Sequence, residues 1–109
     1  MMQYRVDFGS LPWTTPMNGV RQKVFKFGGR QLRLVEYSKI MKEHWCERRH
    51  VGYVLDGKMR INFENETVAY AAGDGVVIPA GSEHKHMANL VTDTVTIVFV
   101  EEFCEQDKK

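Results

Sequence analysis

From Gly19 onward, apolar and polar residues alternate along much of the chain with a period of two. Met59, Ile61 and Phe63 interleave with Lys58, Arg60 and Asn62, the pattern of a half-buried strand and not of a helix. Residues 92–100 form a long β-branched run with Val95, Ile97 and Phe99 on one face. Runs at 22–27 and 31–37 flank Gly28-Gly29-Arg30, which predicts a hairpin. Runs at 50–55 and 58–63 flank Asp56-Gly57, a strong signal for a two-residue hairpin. A further strand at 67–70 follows Glu64-Asn65-Glu66, and another at 75–78 leads into Pro79-Ala80-Gly81. No window has the period of an amphipathic helix; residues 38–43 have room for one turn. Strands recurring roughly every 8–12 residues predict an all-β sandwich or barrel.

Residues 1–20 read differently. Pro12 and Pro16 remove backbone donors and exclude a helix, and Asn18-Gly19 ends the segment with a turn signal. Trp13 beside these rigid residues predicts an ordered arm, lying on the domain or on a partner subunit with Trp13 as its anchor. The expected organisation is one domain: an arm at 1–20, a barrel at 21–103 and a charged tail at 104–109, frayed beyond Phe103.

Composition narrows the function classes. The chain has 109 residues, enough for one domain. Its 15 Lys and Arg against 14 Asp and Glu give a net charge of +1, which argues against a nucleic-acid binder or an electrostatic membrane grip. No apolar run approaches the roughly 20 residues of a membrane span. The first residues lack a signal-peptide core, and neither end carries a lipidation motif. Cys46 and Cys104 are therefore expected as reduced thiols in the cytoplasm.

The histidines carry the candidate chemistry. His44, His50, His84 and His86 are the four in the chain. On a strand, His44 would share a face with Cys46, and His84 with His86. Imidazoles and a thiol from two separate segments supply enough nitrogen and sulfur for a transition-metal site.

These residues fall into a pattern that resembles the cupin family. Its first motif, G-x5-H-x-H-x3-4-E-x6-G, is met by Ser38, His44, Cys46, His50 and Gly57, with Ser for Gly, Cys for the second His and His for Glu. Its second, G-x5-P-x-G-x2-H-x3-N, is met by Gly73, Pro79, Gly81 and His84, with Asn89 one residue late. The resemblance implies a double-stranded β-helix, that is, a jelly-roll barrel with a site inside its mouth, and a homodimer. Carried over by position, the metal ligands are His44, Cys46, His50 and His84, a set softer than three histidines and a glutamate. Zinc or iron suits such a set best, with nickel, cobalt and copper also accommodated. Cys46 is either a thiolate ligand or a small buried thiol, and the histidines are either ligands or hydrogen-bonded core residues. His86 is not a motif ligand; it is expected on the pocket wall as the candidate catalytic acid or base. Arg48 or Arg49 at the mouth would meet an anionic substrate, Trp45 and Tyr53 face outward, and Met59 and Met87 line the pocket.

The function implied is that of a metal-dependent enzyme acting on a small molecule. An isomerase, lyase or dioxygenase working on a sugar- or keto-acid-like compound fits, without nucleic-acid or membrane partners. The alternatives are a non-catalytic module that binds a metal or ligand for sensing, and a metal-free structural barrel. Four protein ligands would close a tetrahedral ion, so a catalytic site requires Cys46 to stay off the metal.

Overall fold

A computed structural model of the chain describes residues 4–102. Among these the strands are β1 (Thr14–Met17), β2 (Val20–Phe27), β3 (Arg30–Ser38), β4 (His50–Asp56), β5 (Lys58–Asn62), β6 (Thr67–Ala71), β7 (Gly75–Ile78), β8 (Met87–Leu90) and β9 (Thr94–Glu102). Two short 3-10 turns, Phe8–Ser10 and Ser82–His84, complete the regular structure. The strands form two sheets, one ordered β1-β2-β3-β9-β4-β7 and the other β6-β5-β8, and every pairing is antiparallel. This is a jelly-roll barrel, the all-β architecture expected. No helix among the described residues is long and apolar enough to cross a membrane.

Period-two alternation places one face of each sheet inside. Val35 on β3, Val54 on β4, Val76 and Ile78 on β7, and Val95, Ile97 and Phe99 on β9 meet Met59 and Ile61 from β5 in one buried core. Each such side chain contributes about 1.5–3 kcal/mol by leaving water.

The predicted hairpin at Gly28-Gly29 forms, with β2 and β3 in register from Val20↔Tyr37 to Phe27↔Arg30. The predicted hairpin at Asp56-Gly57 does not. There β4 belongs to the large sheet and β5 to the small one, so the chain turns a corner between sheets. The register of β4 against β9 slips between Val54 and Asp56 just before this corner. Gly57 then adopts φ +92°, and a Cβ there would lie 2.4 Å from the Thr94 carbonyl oxygen. The Asp-Gly signal reports the positive φ correctly but does not say which strand pairs with which. The true partner of β5 is β6, across the polar turn at 63–66. Strand β8, not anticipated from the pattern, completes the small sheet.

The described part of the arm, residues 4–20, lies against its own domain. Strand β1 is the edge of the large sheet, where Pro16 is tolerated because an edge N–H need not pair. Trp13 lies under the Arg21 guanidinium at 4.1 Å and the Lys23 ammonium at 4.8 Å. Lys23 Nζ also donates to the Phe8 carbonyl at 2.7 Å. Cys104 and the tail from Phe103 lie outside the described residues.

Candidate metal centre

The site is built where the segment between β3 and β4 touches the segment leading into β8. Cys46 and His86 form an isolated antiparallel bridge. Cys46 N–H donates to the His86 carbonyl at 2.8 Å, and His86 N–H donates back at 2.9 Å. Residues that exchange both bonds stand directly opposite, so their side chains project from the same face. His86 is 5% exposed and is the buried polar side chain among the described residues. Its Nδ1 lies 3.0 Å from the His84 carbonyl oxygen. A carbonyl only accepts, so Nδ1 carries a proton there and Nε2 is the nitrogen left to face Cys46.

His50 opens β4 and faces the same space. Its Nε2 lies 3.6 Å from Cys46 Sγ. Its ring meets His86 edge-on at a centroid distance of 5.1 Å and rests on Phe99, also at 5.1 Å. Phe99 has room there because its cross-strand neighbour is Gly52, where a Cβ would come within 2.7 Å of the ring. Cys46, His50 and His86 thus offer three donor atoms that all lie within 4.8 Å of one another. Bond lengths of about 2.3 Å to sulfur and 2.0–2.1 Å to nitrogen set a tetrahedral S···N edge of about 3.6 Å. The Cys46–His50 separation matches that edge and the other donor separations reach at most 4.8 Å, which makes the three residues a candidate set for a transition-metal ion.

Behind His50 stands a second polar group. The β4–β9 register pairs Gly52 with Phe99, and two residues further along it brings His50 to Glu101. Glu101 accepts from Arg33 Nε at 3.0 Å, Arg33 Nη2 at 2.9 Å and its cross-strand partner Gln31 Nε2 at 2.8 Å. Arg33 Nη1 donates to Gln22 at 3.2 Å, and the guanidinium lies over the Phe99 ring at 5.0 Å. His50 Nδ1 is 3.7 Å from Glu101 Oε2, an ion-pair distance beyond hydrogen-bond reach. That nitrogen is buried and has no hydrogen-bond partner.

The electrostatics follow from this packing. Burial opposes ionisation of the Cys46 thiol, but hydrogen bonds from His50, His86 and the Arg48 backbone, with the charge on His50, outweigh it and bring the thiol down to about 5. Burial likewise works against a charged His50, yet its interactions with Cys46 and Glu101 raise its pKa overall. Glu101 is desolvated too, and His50, Arg33 and Gln31 together hold it well below the usual carboxylate range. All three shifts favour the charged form of the group concerned, the consistent direction for a thiol, an imidazole and a carboxyl whose charges would alternate in one row.

A family model described as "Cupin domain" matches residues 33–101, more than half of the chain. The chain belongs to the cupin family. Solved structures with the same fold include an RmlC-like cupin from Shewanella frigidimarina at 15% identity, covering 97% of this chain and 96% of that one with a TM-score of 0.75. KdgF from a Halomonas species is 19% identical, with 96% and 97% covered and a TM-score of 0.69. The polyketide cyclase RemF from Streptomyces resistomycificus is 19% identical, with 93% and 80% covered and a TM-score of 0.73. No curated protein matches the sequence.

This cupin distributes its expected site residues unevenly. Cys46 and His50 stand together as the motif spacing suggests, but the third donor beside them is His86, which was expected on the wall as an acid or base. His84 is not among the three clustered donors. It lies in the Ser82–His84 3-10 turn, where strand parity does not apply, and opens on a groove with Phe63, Glu64 and Glu83. His44 is exposed with Nδ1 3.2 Å from the Lys42 carbonyl oxygen, because the chain around Cys46 is a loop touching the sheet at one bridge. Trp45 and Tyr53 point outward, 50% and 48% exposed. Arg48 and Arg49 are exposed, and Arg49 sits 3.5 Å from Glu102. Met59 is core, with β5, and Met87 is half-buried. Sequence reasoning missed Glu101, Gln31 and Arg33. Their signal was parity: Glu101 continues the inward series Val95, Ile97, Phe99.

Proposed function

We propose that this cupin holds one divalent transition-metal ion through Cys46, His50 and His86 and acts enzymatically on a small molecule. The observation that carries the reading is the set of three donor atoms within 4.8 Å, one edge of which already has the length a tetrahedral ion requires. A thiolate with two imidazoles selects zinc or iron, with cobalt, nickel and copper as further occupants, over magnesium or calcium. Three protein donors leave one position for water or substrate, the arrangement of catalytic and not of closed structural sites. When bound, the ion supplies Lewis-acid polarisation of a substrate oxygen or a more acidic bound water. The chain does the rest: Phe99 and Phe63 wall the histidines with apolar rings, and the His84 carbonyl orients His86. Isomerase- or lyase-type chemistry on a sugar- or keto-acid-like carbonyl compound suits this equipment, and the neighbour named a polyketide cyclase supports an enzymatic use of the barrel. Exposed Val51, Tyr53, Leu55, Val77 and Val100 on the outer face of the large sheet support a homodimer, checked by sedimentation of Tyr53→Glu.

The test is metal analysis of protein purified without an immobilised-metal column. About one equivalent of zinc or iron is expected, lost in Cys46→Ala and His86→Ala. Under a tenth of an equivalent, with a melting temperature unmoved by added zinc, iron or cobalt, would overturn the reading.

A further inference from the structure

Resting on that reading, we infer that Glu101 is a positioning residue for His50: it keeps the imidazole proton on Nδ1 and presents Nε2 to the ion. Geometry alone carries the case. His50 Nδ1 is buried with no hydrogen-bond partner, and the polar atom it faces is Glu101 Oε2 at 3.7 Å. Glu101 cannot turn to another task, because Arg33 grips it through two nitrogens and Gln31 through a third. A fork of this kind fixes a carboxylate in direction as well as place. The opposite ring nitrogen, Nε2, is the one 3.6 Å from Cys46 Sγ. A carboxylate behind a histidine selects the tautomer and the ring orientation of a ligand. His86 obtains the same service from the His84 carbonyl. Both imidazoles are thereby set to offer Nε2, one by a side chain and one by the backbone.

The arrangement also restricts position 50. A carboxylate placed there would face Glu101 with like charge in a partly desolvated interior, which opposes its ionisation and its use as a ligand. Glu101 therefore specifies an imidazole at position 50 as well as orienting it.

Glu101→Gln tests the inference with two readouts. Gln keeps the shape and can still accept from Arg33, but its amide donates toward Nδ1 and so drives the ring proton to Nε2. In metal-free protein carrying Cys46→Ala, which removes the thiolate that competes for a proton on Nε2, long-range nitrogen–proton NMR at a pH where the ring is neutral is expected to show His50 protonated at Nδ1 with Glu101 present and at Nε2 with Glu101→Gln. Zinc titration against a competing chelator is expected to give about 10–100-fold weaker binding in the variant, the usual effect of removing such a partner. His50→Glu is expected to bind zinc poorly and His50→Glu/Glu101→Gln to regain it. If Glu101→Gln does not fold, Arg33→Met/Glu101→Gln, which removes both charges at once, is read by the same two measurements. An unchanged tautomer, or unchanged zinc affinity in a parent that binds zinc, overturns the inference. A tautomer switch in a parent that binds no metal supports the positioning role while overturning the metal reading, so the two failures are distinct.

Discussion

Replacing Arg33 with Met separates the weight of the interior ion pair from that of the surrounding core. Arg33 and Glu101 side chains are each 15% exposed and joined at 2.9 Å. Met retains most of the aliphatic stem and removes the guanidinium, with its place over Phe99 and every donor, including the bond to Gln22 at 3.2 Å. Glu101 is left desolvated with Gln31 as its hydrogen-bond donor and His50 at 3.7 Å. Breaking a buried pair by removing one partner costs about 3–5 kcal/mol. The surviving Gln31 bond and the nearby imidazole place this case near the lower end, about 3 kcal/mol. At roughly 4 °C per kcal/mol for a domain of about 100 residues, the melting temperature falls by about 12 °C. Thermal unfolding of metal-free protein, followed by circular dichroism at neutral pH, measures it. Arg33→Met/Glu101→Gln removes both charges and is expected to recover at least half of the loss. The sign with pH follows from the depressed Glu101 pKa: the pair's contribution is present above the unfolded carboxylate range and is lost as pH falls below it toward the folded value. The gap between parent and Arg33→Met therefore narrows in acid. A drop under about 4 °C at neutral pH, or a double variant no better than the single, refutes the reasoning.

Other expectations follow from the same geometry. Gly57→Ala at φ +92°, with its Cβ 2.4 Å from the Thr94 oxygen, is expected to cost about 2–3 kcal/mol in urea unfolding; a change under about 0.5 kcal/mol would contradict the corner assignment. Metal-free protein carrying Cys104→Ser is expected to show alkylation of Cys46 by iodoacetamide rising with a midpoint near pH 5. Because the thiolate is the nucleophile and its pKa is lowered, reactivity persists from that pH upward; a midpoint near the ordinary 9 would show that His50 and His86 do not stabilise it. His44→Ala and His84→Ala are expected to keep bound zinc near one equivalent while His86→Ala loses it, and the reverse pattern by elemental analysis would move the site to the groove.

The strands were legible because alternation is local. Met59 and Ile61 sit in the core where their parity put them, and Val95, Ile97 and Phe99 share the inner face of β9. Pairing was less legible. Asp56-Gly57 marks a positive φ, but whether the following strand folds back or crosses to another sheet depends on distant partners, here Thr94 and the strands β6 and β8. Strand β8 escaped notice because Met87–Leu90 is short and follows a turn, too brief to establish a period.

The candidate site shows the same division between chemistry and parity. Residue types announced a nitrogen- and sulfur-rich centre, yet parity arguments hold only inside continuous strands. His44 lies in a loop and His84 in a 3-10 turn, so counting by twos from Cys46 and His86 misplaces both. Where a strand is continuous, the count succeeds and reaches further than charge composition does. By composition Glu101 opens the charged stretch after Val100, but on β9 it is the inward residue after Phe99, opposite Gln31. An acidic residue in that series must either face water or find partners, since an unpaired buried carboxylate is costly. Arg33 and Gln31 occupy the matching inward positions on β3 and supply them. The barrel interior thus passes along β9 from Val95 and Ile97, through Phe99 under the His50 ring, to a clamped carboxylate beside His50. That gradient explains why the donors gather where they do. Deeper in, the buried side chains among the described residues are valine, isoleucine and methionine. Further out, water would compete for the ion. At the boundary layer two histidines can be desolvated enough to bind and still be oriented from behind.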